Sequence, residues 1–242
     1  MAKLLITRPE PDNRHTAKLL AAQNIQSELL PLLSFTVLDV QLPDIAGFAA
    51  LAVTSANTIR ALEAFDKIPS LSHLPLFAVG EKTAEAALAA GFTSVSTAGN
   101  SVESLAELIA GANPSGPLFY PAARNRSGNL AALLEVNNIE VTTIPLYAME
   151  ARMNLSSGET AMLKDSSLAG ILFYSARTAQ TFVELAGTCG LDIIRQTPAL
   201  CLSPNAAKPL IRAGFEVIHI ADAPNEQAMM ALALSFTRSK RK

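Results

Sequence analysis

PLFAVGEKTAEAALAAGF, residues Pro75–Phe92, reads as a strand running straight into a helix. Leu76–Val79 is a short, wholly apolar run, as in a strand buried on both faces. Glu81–Ala90 is built from good helix formers, and Gly91 supplies the left-handed stop at its end. The same frame returns as PALCLSPNAAKPLIRAGF, Pro198–Phe215. Two more matches fall in the same order. Ala17–Ile25 lines up with Ala131–Ile139, followed by Pro31-Leu32 with Pro145-Leu146. Thr54–Thr58 lines up with Tyr174–Thr178. Three collinear matches predict one unit of about 115 residues, duplicated.

Outward from that stretch the alternation continues. Leu4–Thr7 reads as a strand. Asp12–Ala22 reads as a helix with Asp12 as N-cap and Ala17, Leu20 and Ala21 on one face. Ile25–Pro31 is extended. Leu51–Thr54 is a strand before helix Ala56–Phe65. Ser94–Thr97 is a strand before helix Ser101–Ile109, capped by Ser101. Strands alternating with helices of this length make βαβ units and a parallel sheet covered on both faces. Thr36–Ala46 and Glu150–Ser157 break the pattern as extended, polar connections. The expectation is two α/β lobes with a cleft between them, where such folds bind ligands.

Composition narrows the function. The chain has 242 residues, 19 Lys+Arg against 21 Asp+Glu, and a formal net charge of −2. Half the residues are hydrophobic, so it is not a disordered chain. No basic excess exists beyond the tail Arg238–Lys242, which argues against a nucleic-acid partner. No apolar run approaches the ~20 residues of a membrane span, and Leu4-Leu5-Ile6 is too short for a signal segment. A cytoplasmic chain is expected. Cys189 and Cys201 lack metal-ligand or disulfide spacing, and His15, His73 and His219 form no triad or ligand set, so no metal site is expected. Val79-Gly80-Glu81-Lys82-Thr83 lacks the first glycine of a phosphate loop.

One feature recurs: a strand followed at once by small polar residues opening a helix. It occurs at Thr54-Ser55-Ala56-Asn57, Gly80-Glu81-Lys82-Thr83, Tyr174-Ser175-Ala176-Arg177 and Ser203-Pro204-Asn205. Free backbone N–H groups and the positive helix end there suit carboxylates or phosphates. Arg8, Arg124 and Arg126 follow strands and have the fork geometry that grips a carboxylate. These positions predict a polyanionic small-molecule ligand.

Taken together, several stretches resemble the uroporphyrinogen-III synthase family along essentially the whole chain. They are Leu4–Pro9, Val53–Asn57, Phe77–Ala84, Leu118–Pro121 with Arg124, Ile144–Tyr147, Leu172–Ser175 and Ala213–Phe215. The resemblance implies two flavodoxin-like parallel-sheet lobes joined by a two-stranded linker. It also implies an interleaved path, with residues 1–36 and 156–242 in one lobe, 45–149 in the other, and 37–44 and 150–155 as linker strands. The repeat alone leaves a linear split near residue 115 equally open.

The implied reaction closes hydroxymethylbilane, a linear tetrapyrrole with eight carboxylates. Water is lost, ring D is inverted, and uroporphyrinogen III results. Pyrrole nitrogens expel the hydroxyl, so no cofactor is implied and catalysis is by positioning. Tyr147 matches the position of the family's proposed leaving-group tyrosine and is the expected catalytic residue. Arg8, Thr54, Ser55, Asn57, Gly80, Lys82, Thr83, Arg124, Tyr174, Ser175 and Ser203 are the expected substrate-binding residues. The enzyme is expected to be a monomer. Two alternatives stand beside this reading: a two-lobed cytoplasmic binding protein for a small polyanion, and an inactive homologue, to which Leu202-Ser203-Pro204-Asn205 points by standing where the family tends to show Ile-Gly before a Thr.

Overall fold

The computed structural model describes residues 3–99, 101–126, 128–188 and 192–239. In chain order the elements begin with β1 Lys3–Ile6, α1 Asp12–Ala22, β2 Gln26–Leu29, β3 Leu33–Val37 and β4 Ala50–Val53. There follow α2 Ala56–Ala64, α3 Ile68–Leu71, β5 Leu76–Val79, α4 Glu81–Ala89, β6 Val95–Ala98 and α5 Val102–Ala112. Then come β7 Leu118–Ala123, α6 Leu130–Glu135, β8 Val141–Ala151 and α7 Ser157–Leu163. The chain ends with β9 Leu168–Phe173, α8 Ala176–Thr188, β10 Ala199–Cys201, α9 Pro204–Arg212, β11 Ile218–Ile220 and α10 Glu226–Ser239.

The chain divides into two compact units, Met1–Ser34 with Glu150–Lys242, and Phe35–Met149. Unit 1 holds a sheet in the order β11-β10-β9-β1-β2, every pair parallel. Unit 2 is built on the order β8-β7-β4-β5-β6, again parallel, with β3 on the outer side of β8. Leu38 N–H donates to Leu146 O, and Arg152 N–H donates to Leu32 O, so β3 and β8 run antiparallel.

Each sheet is apolar on both faces because helices cover both. In unit 1, Leu5, Ile171, Phe173 and Cys201 pack toward Phe182, Leu210 and Phe215 of the α8–α9 side. Their neighbours Leu4, Ile6, Leu172 and Leu200 pack toward Leu20, Met229 and Phe236. In unit 2, Leu51, Val53, Leu76 and Phe119 face Ile59, Leu62 and Ala87, while Ala50, Ala52, Phe77 and Leu118 face Leu105, Ile109 and Leu130. Gly170 has no room for a side chain: a Cβ there would lie 2.9 Å from Leu200 Cδ1 and 3.1 Å from the Phe236 ring.

The three sequence matches fall on equivalent local structures. Asn24 and Asn138 both end their helices at positive φ, 56° and 58°. Ile25 N–H donates to Leu20 O as Ile139 N–H does to Leu134 O. Phe92 N–H donates to Ala87 O and Phe215 N–H to Leu210 O, both at 3.1 Å, behind Gly91 and Gly214 at φ +105° and +80°. β1-α1-β2 therefore corresponds to β7-α6-β8, and β9, β10, β11 to β4, β5, β6. Under that mapping the two parallel sheets have the same spatial order. Counted along its own chain, unit 1 runs 2-1-3-4-5, the flavodoxin-like order, whereas unit 2 runs 3-2-1-4-5, its circular permutation. Two tandem copies have exchanged their βαβ segments, and the linear split is excluded.

Two local expectations are corrected. Asp12 does not cap α1. Pro11 holds that place without a side-chain bond, and the Asp12 carboxylate pairs with Arg8. The buried face of α1 carries Asn13, Thr16 and Leu20 with Ala17 packed partly buried beside them, while Ala21, expected on that face, is exposed. Cys201 is a buried free thiol, pushed up to about 12 by burial, and Cys189 lies outside the described residues.

Candidate functional site

Open parallel sheets bind ligands at the carboxyl ends of their strands, in the crevice where strand order reverses. In unit 1 that crevice lies between β1 and β9, at Thr7-Arg8 and Tyr174-Ser175. It is filled. The Arg8 guanidinium is buried and meets Glu226 Oε2, Asp12 Oδ2 at 3.1 Å and Thr16 Oγ1 at 3.0 Å. It lies 4.0 Å over the Tyr174 ring. Tyr174 Oη donates to Glu226 Oε1 at 3.0 Å, and Thr16 Oγ1 donates to the same oxygen at 3.1 Å. Burial pushes the Tyr174 phenol well above its ordinary range, so it remains a donor. Arg8 and Tyr174, expected to receive substrate carboxylates, here hold a carboxylate of this chain, that of Glu226. Ser175 and Ser203 act as helix caps, accepting from Thr178 N–H at 3.1 Å and Ala206 N–H at 3.3 Å.

In unit 2 the reversal lies between β4 and β7, and there the crevice is open. A pocket of about 500 Å³ is lined by Thr54 and Ser55 after β4, by Ala123, Asn125, Arg126 and Gly128 after β7, and by Ser101, Val102 and Glu103 at the start of α5. Val79 and Tyr147 complete it. Tyr147, on β8, is almost wholly buried, and its ring lies 5.3 Å from that of Phe35. Burial pushes its phenol up, opposed by the neighbouring Ser55 and Thr58 hydroxyls, while the nearby Tyr120 phenol adds to the rise. The net rise keeps Tyr147 protonated at neutral pH. Thr54 Oγ1 and Tyr120 Oη are 3.3 Å apart. Ser55 Oγ caps α2 by accepting from Asn57 N–H at 3.2 Å. The lining thus joins the hydroxyls of Thr54, Ser55, Ser101 and Tyr147 with two charged side chains, Arg126 and Glu103.

Of the residues singled out in the sequence, this pocket brings together Thr54, Ser55, Arg126 and Tyr147. Arg124 is exposed beside it, its N–H donating to Tyr147 O at 2.8 Å. The Asn57 amide points at Met149 Sδ, 3.7 Å away. Gly80, at φ +74°, caps α4 at the end of the adjoining β5, with Lys82 exposed and Thr83 buried in that helix's first turn. Sequence reasoning misses Tyr120, Ser101, Glu103, Asn125 and Gly128 as site residues, and it marks Arg126 only as a strand-end arginine. Gly128 is at φ +85°, and a Cβ there would lie 3.3 Å from Val102 Cβ, so the β7–α6 loop lies close on α5. Among the described residues no group of three His, Cys, Asp or Glu could hold a metal ion.

Comparison with known proteins gives a consistent result. No curated protein matches the sequence. The solved uroporphyrinogen-III synthetase of Helicobacter pylori 26695 is 20% identical, with a TM-score of 0.68 over 97% of this chain and 99% of that one. A mutant uroporphyrinogen III synthase of the extremely thermophilic bacterium Thermus thermophilus is 15% identical, with a TM-score of 0.62 over 100% of this chain and 99% of that one. At these identities the likeness is one of fold. The family itself rests on sequence: the model described as uroporphyrinogen-III synthase HemD matches residues 14–231, from within α1 to within α10. This chain therefore belongs to the uroporphyrinogen-III synthase family, the cyclising lyases of heme biosynthesis.

Proposed function

We propose that the chemistry of this enzyme is done at the unit 2 crevice, where Tyr147 gives its proton to the departing hydroxyl of hydroxymethylbilane. The observation that carries the reading is the buried, protonated phenol in a hydroxyl-lined pocket. A general acid must hold its proton until the leaving group asks for it, and burial has that effect on a tyrosine. Thr54 and Ser55 orient the substrate by hydrogen bonds. Arg126, with Arg124 beside it, supplies positive charge for the carboxylates at the rim.

Asn57, Gly80, Lys82 and Thr83 belong to the same reading as substrate contacts along the strand ends. Ser175 and Ser203 present capped helix starts in unit 1. The pyrrole nitrogens push electrons toward the breaking C–O bond, so the protein's task is to hold one folded pose of a flexible chain. The reading has the enzyme work as a monomer in the cytoplasm, without cofactor or nucleic acid. A net charge of −2 supports the last point, and no helix among the described residues is long and apolar enough to cross a membrane.

The test supplies hydroxymethylbilane to the protein and separates the uroporphyrin isomers after oxidation. Type III should dominate. If type I dominates, as in spontaneous closure, the chain is an inactive homologue or a binding protein, and the reading fails.

A further inference from the structure

Thr58 is fully buried, and its Oγ1 has no hydrogen-bond partner. Helical threonines usually satisfy their hydroxyl on a carbonyl one turn back. Two others here do so: Thr181 Oγ1 donates to Arg177 O at 3.0 Å and Thr237 Oγ1 to Ala233 O at 2.9 Å.

The duplicated half supplies a closer control. Thr178 is the counterpart of Thr58, as Ser175 is of Ser55. In unit 1 the two hydroxyls of that pair are 2.8 Å apart and bonded to each other. In unit 2 the same pair stands open where the Tyr147 phenol adjoins it, and the position corresponding to Tyr147 in the other copy is Leu33. A buried, unpaired hydroxyl destabilises the resting fold, and valine would fill the same space without that cost. Retaining threonine makes physical sense if the hydroxyl gains a partner in another state of the site.

We propose that Thr58 is a positioning residue whose hydroxyl donates a hydrogen bond to the phenolate oxygen of Tyr147 after that tyrosine has given up its proton. This rests on Tyr147 as the proton donor. The steps balance. The Tyr147 O–H bond breaks and its proton joins the hydroxymethyl oxygen, whose C–O bond breaks to release water. A phenolate and a cationic bilane remain. Closure with inversion of ring D forms two carbon–carbon bonds and breaks one, the old attachment of that ring, and the proton that the newly attached ring carbon must lose returns to the phenolate. No oxidant or reductant takes part.

A hydrogen bond to the phenolate is stronger than one to the neutral phenol, so Thr58 helps the reacting state more than the resting state. Ser55 Oγ already accepts from a backbone N–H, whereas Thr58 Oγ1 has no prior bond to break.

Thr58→Val removes the hydroxyl and keeps the shape. It should lower kcat about ten- to a hundredfold, the range for a hydrogen bond to a charged group, with KM unchanged and Tm unchanged or higher. Thr58→Ser should restore most of the rate. In a Tyr147→Phe background, Thr58→Val should cost nothing further. If Tyr147→Phe is slow but Thr58→Val turns over at the wild-type rate, this inference falls and the role of Tyr147 stands. If Tyr147→Phe keeps full rate, the role of Tyr147 falls as well. If Thr58→Val slows the Tyr147→Phe variant as much as it slows the wild type, its effect does not pass through Tyr147, and the inference is overturned. Should the valine variant fail to fold, Thr58→Ala against Thr58→Ser gives the same kcat contrast.

Discussion

Glu226→Gln tests whether the unit 1 crevice is a structural seal. Arg8 cannot shed its charge, and its side chain is only 10% exposed, so countercharge must come from the protein. Glu226 and Asp12 provide it, at 31% and 39% exposure. Stripping one partner from a fully buried pair costs about 3–5 kcal/mol. Three features discount that figure here. Asp12 remains, Glu226 is partly hydrated, and glutamine can still accept from Tyr174 and Thr16 through its carbonyl oxygen. What is lost is one charge-assisted bond, worth about 1.5–3 kcal/mol. For a chain of this length that lowers Tm by about 3–12 °C. Calorimetry at neutral pH measures it, with Glu28→Gln as control. The Lys3–Glu28 pair is 34% and 43% exposed, so its loss should shift Tm by no more than about 4 °C. If Glu226→Gln melts within a degree of wild type, the seal is not structural. If KM for the bilane also falls, Glu226 has been occupying a substrate carboxylate's place, and Arg8 returns to the binding site.

Tyr147→Phe should slow turnover about tenfold or more while leaving Tm nearly unchanged, read from initial rates and from melting of the same sample. Thr54→Ala should chiefly raise KM, because its hydroxyl is assigned to holding substrate; an unchanged KM with a lowered kcat would move it into the proton-transfer machinery. Tyr174 gives a pH dependence of definite sign. Its folded value is raised by burial, while unfolded tyrosine ionises near pH ~10. Its stabilisation is therefore intact below about pH 10 and is lost as pH rises beyond it. Tyr174→Phe should melt with a shallower alkaline decline, and an equal decline would refute the assignment. Gly170→Ala forces a methyl group against Leu200 and the Phe236 ring and should cost about 1–3 kcal/mol in chemical denaturation.

The strands are legible in the sequence because a strand covered on both faces is a short apolar run; Leu76–Val79 agrees to the residue. The helix ends are legible where a left-handed residue marks them, as at Gly91 and Gly214. The exchange of βαβ segments is not, because two similar copies leave open which partner each segment joins. Only the resemblance points to it. The pairing of Arg8 is hidden because Glu226 lies 218 positions away, and an arginine after a strand looks the same whether it awaits a ligand or has its countercharge. Asp12 misleads as a cap because an aspartate at a helix start looks the same whether it caps the helix or pairs with an arginine one turn back. Ser101 opens α5 while Arg126 and Gly128 share the β7–α6 loop, so only folding brings them to one pocket.

The duplication makes the difference between the crevices a comparison within one molecule. Both reversals of strand order occur at corresponding places, and both keep a serine cap, Ser55 or Ser175, at the same helix start. What differs is the residue before that serine. Tyr174 in unit 1 is long enough to reach Glu226 and to lie under Arg8, and so it closes its crevice. Thr54 in unit 2 reaches only the Tyr120 hydroxyl and leaves about 500 Å³ beside it. On the neighbouring strand the exchange runs the other way, with Leu33 in one copy and Tyr147 in the other. At the strand reversal of unit 1 the space is taken by a charged cluster of the chain's own side chains. At that of unit 2 it stays open beside a phenol. Putting the unit 1 residue into unit 2 is the direct trial of this difference. Thr54→Tyr should abolish turnover by filling the pocket while the unit stays folded, and retained turnover in a folded variant would put the chemistry elsewhere.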